Sequence, residues 1–241
     1  MTTIDAIRLA QINATSLKVG AHREAVYGDS FNVSVMEAVA YIAGEPWSEK
    51  PQCACPVITV FMAIWSLGLQ TSADRDRLFK PLIPLIVGTR STKDVEEKRS
   101  YIALDWLVRV HTPGFLDLLP GLTEHAKALR DMDAIVDMAS AIPAAYKVHF
   151  ARTAAYEFGV GAWKKSDAAS RDAAGDGGKS AARAALKVTS GIPSVNDAID
   201  AARAAAWCAA WSGTGDVLKP TTEWLQVSAV GLVRQMIETT D

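Results

Sequence analysis

Between Lys50 and Asp74 the chain carries no charged residue. A stretch of that kind is too apolar for a water-facing surface and belongs either in lipid or inside a protein. Its most apolar part, Cys53 to Leu69, is 17 residues long, close to the lower limit for a membrane-spanning helix. Pro56 fits a first helical turn, where its missing N–H would be unpaired in any case. About 14 residues then remain to Leu69, a rod of roughly 21 Å at the rise of an α-helix. That is short of a hydrocarbon core about 30 Å thick, and Thr59, Ser66 and Gly68 dilute it further. The run therefore reads as a helix buried at the centre of a water-soluble protein. The β-branched and aromatic Val57–Phe61 leaves a short buried strand as the alternative.

The surroundings of this run carry helix punctuation. Ser34 with Glu37 three residues on is the capping-box pattern, and Gly44 suits a left-handed helix end. Thr92 caps a helix expected over Lys93 to Val110, whose Val95, Ile102, Trp106 and Val110 form an apolar stripe joined by Ala103 and Leu107. Asp105 and Arg109 are spaced as an i,i+4 ion pair on it. Ser72 or Asp74, Thr112 before Pro113, and Thr123 read as further N-caps, and Pro81 and Pro84 break the segment between Phe79 and Gly88. The chain contains 40 alanines, 28 of them from Ala126 onward, so the second half should be helical and closely packed. Helices are expected over Ala144–Trp163, Ser194–Trp211 and Thr222–Glu238.

Alternating strand patterns joined by hairpin turns are absent. The fold class is all-α: a globular bundle of roughly nine to eleven helices around the buried central one. Residues 1–163 form the helical core domain, 164–180 a flexible linker marked by Gly175, Gly177 and Gly178, and 181–241 Ala/Trp-rich helices that pack on the core.

Charge excludes some partners. With 27 acidic and 25 basic side chains the net charge is -2, and no block of five like charges occurs, so no field draws nucleic acid or an anionic membrane. The N-terminus lacks the basic-then-apolar pattern of a secretory signal. Three cysteines are too few for a disulfide framework, and a reducing cytoplasm is the expected compartment.

Candidate chemistry centres on Cys53-x-Cys55, with His22 and Glu37 upstream. Zinc takes four N, S or O ligands in a tetrahedron, its cysteines commonly two to four residues apart. The one-residue spacing departs from that rule, and buried apolar cysteines are the competing reading. Gly177-Gly178-Lys179-Ser180 ends like a phosphate-binding loop, but Ala173 stands where a glycine is needed and no strand precedes it. Asp105, Arg109 and His111 lie close in sequence, as do Asp131, Asp133 and Asp137. Spacing alone imposes no acid–base geometry on them, and solvated faces or caps account for them. His149 reads as a partly buried, hydrogen-bonded imidazole. Trp47, an aromatic in the loop after Gly44, is the candidate binding residue, with packing against a neighbouring helix as its structural alternative.

The stretch Val35–Ser48 (VMEAVAYIAGEPWS), followed by CACPVI from Cys53, RLFKPLIP from Arg77, Val87-Gly88-Thr89 and LDWLVR from Leu104, resembles a group of uncharacterised helical proteins of actinobacteria and actinobacteriophages. The likeness covers about the first 130 residues, and the Ala/Trp-rich Ala202–Trp211 is similar to tails in that group. The group brings no assigned activity, so the resemblance implies no catalytic residue. Its members often carry Cys near Ser34 and His near Trp47, positions at which this chain departs. The expectation is a non-catalytic, soluble interaction protein with a protein partner and no cofactor, of the kind that serves as a phage or prophage accessory factor. The alternative is a zinc-stabilised protein using Cys53, Cys55, His22 and Glu37.

Overall fold

The computed structural model describes residues 3–24, 31–119, 121–164 and 219–240, and every regular element among them is helical. In chain order these are α1 (Ala6–Ala14), α2 (Val35–Ile42), α3 (Pro56–Gly68), α4 (Ser72–Phe79), α5 (Ile83–Ile86), α6 (Lys93–Trp106), a π-helical turn (Leu107–His111), α7 (Thr112–Leu116), α8 (Thr123–Arg130), α9 (Met138–Lys164) and α10 (Lys219–Glu238). The number of helical segments is close to the range expected from the sequence.

The charge-free run becomes α3. Pro56 occupies its first turn, and Val57–Phe61 is helix, which removes the strand alternative. Ile58, Phe61, Met62 and Trp65 are sealed from solvent, and α2, α6 and α10 pack around the helix. Its aromatic side chains form a contiguous set: Phe61 meets Trp65 at 5.7 Å and Trp106 at 6.5 Å between ring centroids, and Trp65 meets Phe79 at 4.8 Å. These near-perpendicular contacts set the positive edge of one ring against the negative face of the next. Among the described residues no helix is long and apolar enough to cross a membrane.

Buried indole N–H groups need acceptors, and α10 supplies them. Trp65 Nε1 donates to Gln226 Oε1 at 3.0 Å, and Trp106 Nε1 to Ser228 Oγ at 2.8 Å. Leu225, Ala229, Leu232, Val233 and Met236 complete the apolar contact. The helix α10 is thus one wall of the same core. The helix expected over Ser194–Trp211, the possible phosphate loop, Cys208 and the linker beyond Lys164 lie outside the described residues.

Two buried arginines fasten loops to this core through backbone oxygens. Arg99 on α6 donates to Met236 O at 2.7 Å, to Thr239 O at 3.0 Å and to Thr89 O, closing the C-terminal end of α10. A cation at that end also opposes the helix dipole favourably. Arg75 on α4 donates to Leu17 O at 3.3 Å and to Leu69 O, tying the segment after α1 to the end of α3.

Several helix ends differ from the sequence reading. Thr71, not Ser72 or Asp74, caps α4, accepting from the Asp74 N–H at 3.1 Å. Thr123 is the first residue of α8, behind an uncapped Leu122. Thr112 is no N-cap, because the chain runs helically from Lys93 to Leu116. Pro113 has no N–H, and its ring would crowd the carbonyl four residues back. The π turn before it widens the helix, and both the Thr112 N–H and its Oγ1 donate to Leu107 O, five residues earlier. Likewise α9 starts at Met138 and carries Pro143 inside it. Asp137 anchors that start by accepting the Ser140 N–H at 2.8 Å.

Truncating Phe61 to alanine should destabilise the protein by about 3–5 kcal/mol, the usual result of a cavity under an aromatic core residue. Leu67→Ala on the exposed side of the same helix should change stability by no more than about 0.5 kcal/mol. Urea unfolding followed by tryptophan fluorescence measures both; equal losses would contradict the central placement of α3.

Candidate functional site

The N-terminus of α2 gathers two of the expected site residues. The Ser34–Glu37 capping box forms: the Glu37 N–H donates to Ser34 Oγ, and the Ser34 N–H donates to Glu37 Oε2 at 2.8 Å. Glu37 then does more than cap. Its side chain is only 1 % exposed, and it also accepts the His22 N–H at 2.6 Å on Oε1 and contacts His22 Nδ1 at 3.0 Å through Oε2. A carboxylate buried this deeply is tolerated because N–H donors replace its water. The positive end of the α2 dipole favours the same charge. Glu37 therefore joins the chain near His22 to α2.

Next to this junction, Trp47 donates its indole N–H to His22 O at 2.9 Å. Its ring lies 5.8 Å from Phe31 and 6.0 Å from Tyr41, centroid to centroid, and Phe31 and Tyr41 are 5.4 Å apart. The Arg8 guanidinium stacks on the other ring of the group, 4.8 Å from the Tyr41 centroid, and donates to Tyr41 O. Trp47 is half-buried and packed against the core. Its N–H and ring edges thus find partners within the chain, the packing that its sequence position also allowed. Burial, with the Glu37 carboxylate beside it, raises the pKa of Glu49 above the usual carboxylate value, and His22 partly opposes that shift.

The proposed metal set divides. His22 and Glu37 meet, whereas Cys53 and Cys55 are drawn to the entrance of α3. There the Cys55 N–H donates to Thr89 Oγ1 at 3.0 Å and Cys53 O accepts the Arg90 N–H at 2.9 Å. Both cysteines are buried and free. Burial is the main cause that pushes the Cys53 thiol up, and the nearby Glu45 adds to it. Among the described residues no three His, Cys, Asp or Glu side chains gather closely enough to hold a metal ion. The joint ligand set of Cys53, Cys55, His22 and Glu37 does not assemble there.

The acid–base candidates are engaged structurally. Asp105 pairs with Arg109 at 3.2 Å, as its spacing indicated, and Asp105 Oδ1 also accepts the Ile135 N–H at 2.8 Å. His111 is buried between Trp106 and Phe115, with ring centroids 5.2 and 5.1 Å away. His149, by contrast, is exposed on α9 instead of partly buried.

Sequence reading missed the second face of α9. Ala141, Ala144, Val148, Ala151 and Ala155 point into the core, while Ile142, Tyr146 and Phe150 are 52, 67 and 63 % exposed. The available signal was an i, i+4, i+8 row of large apolar residues opposite a row dominated by alanine. A helix apolar on both sides is usually covered on both sides. Comparison of the chain with protein-family models, curated proteins and solved structures finds no match.

Two outcomes follow from this geometry. Glu37→Gln removes the charge and one acceptor oxygen from a site receiving several N–H donors, and should destabilise the fold by about 1–3 kcal/mol in urea unfolding. Cys53 holds its proton to higher pH in the folded chain than in the unfolded one. Its stabilising contribution is therefore complete below the unfolded thiol value of about 8.5 and is lost as pH rises through the folded one. At pH 7.5, a value below that threshold, iodoacetamide should leave Cys53 and Cys55 unlabelled until urea is added, as read by peptide mass spectrometry; rapid native labelling would contradict their burial.

Proposed function

We propose that this chain is a non-catalytic, soluble helical protein that works in the cytoplasm by binding another protein. The observation that carries the reading is the exposed apolar row Ile142, Tyr146 and Phe150 on α9. Large apolar side chains grouped on one helix face mark interaction sites more often than scattered ones do, and a row at helical spacing is the form in which helices present anchors to a partner. The pairing of candidate catalytic groups with structural partners agrees with this reading: Glu37 serves two backbone segments, and Asp105 serves Arg109 and Ile135. In this proposal Trp47 shapes the surface from beneath and contributes less directly than α9. The likeness to actinobacterial and phage proteins gives the proposal its setting, an accessory factor of a phage or prophage.

The full chain, immobilised and exposed to actinobacterial lysate, should enrich a defined protein at least about tenfold over the Tyr146→Asp/Phe150→Asp variant, since two aromatic anchors commonly contribute 2 kcal/mol or more each. Equal recovery by both, with circular dichroism unchanged, would remove α9 as the binding face. Elemental analysis of protein purified without chelator separates this reading from the zinc alternative. Less than about a tenth of an equivalent is expected, whereas a structural zinc site would retain close to one.

A further inference from the structure

We draw no further inference here: the strongest candidate, the exposed apolar face of α9 at Ile142, Tyr146 and Phe150, carries nothing beyond the surface already described, because nothing among the described residues shows what covers it.

Discussion

A helix with no charge on any side has to be surrounded, and the rest of this protein is arranged to do that. Burial of Ile58, Phe61, Met62 and Trp65 on α3 stabilises the fold by something like 1.5–3 kcal/mol per side chain. It also brings polar atoms into an apolar setting. The Trp65 indole N–H is the clearest case, and its partner Gln226 comes from a helix 161 residues away in sequence. One buried N–H thus helps fix where the C-terminal helix must lie. Arg99 secures the far end of the same helix by taking the carbonyls of Met236 and Thr239. The core and the C-terminal helix are held by the same few polar contacts, so neither is independent of the other.

Glu37 plays the corresponding part at the periphery. Its carboxylate is a capping group by sequence, but in the fold it also receives the His22 N–H and meets the His22 ring. Trp47 then bonds His22 O and packs with Phe31 and Tyr41. A buried acid, an imidazole and a tryptophan within one cluster would suggest chemistry if read from composition alone. Their bonds point inward, to backbone donors and acceptors of neighbouring segments, and this accounts for the residues as a junction. The cysteines show the same logic from the apolar side: Cys53 and Cys55 sit at the entrance of α3, where small apolar side chains fit and thiolates do not.

Local signals were readable wherever the interaction they encode is itself local. Ser34 and Glu37 are three residues apart, Asp105 and Arg109 four, and both pairs form. Pro56 opens α3, and Gly44 takes the positive φ of 73° that a left-handed helix end requires. The same kind of reasoning failed at Thr112, which is no N-cap because the chain is already helical through it. A proline that would end an isolated helix is tolerated when packing on both sides of it holds the chain helical, and a π turn absorbs the clash before Pro113. The end of α3 at Gly68 and the starts of α4 and α8 differ by one residue from the sequence reading, the usual margin at helix ends, and at α4 it is Thr71 that caps in place of the neighbouring Ser72.

The sequence by itself determined the helical class, the burial of the run after Pro56, and the pairs whose members are a turn apart, because periodicity and short-range hydrogen bonds depend only on neighbours along the chain. Tertiary structure alone decided that Trp47 bonds His22 O and packs beside Phe31 and Tyr41, that His22 meets Glu37 while Cys53 and Cys55 go elsewhere, and that one side of α9 remains apolar and uncovered among the described residues. Those outcomes depend on which helices lie beside each other. A one-dimensional pattern identifies a face that must be covered but does not say what covers it.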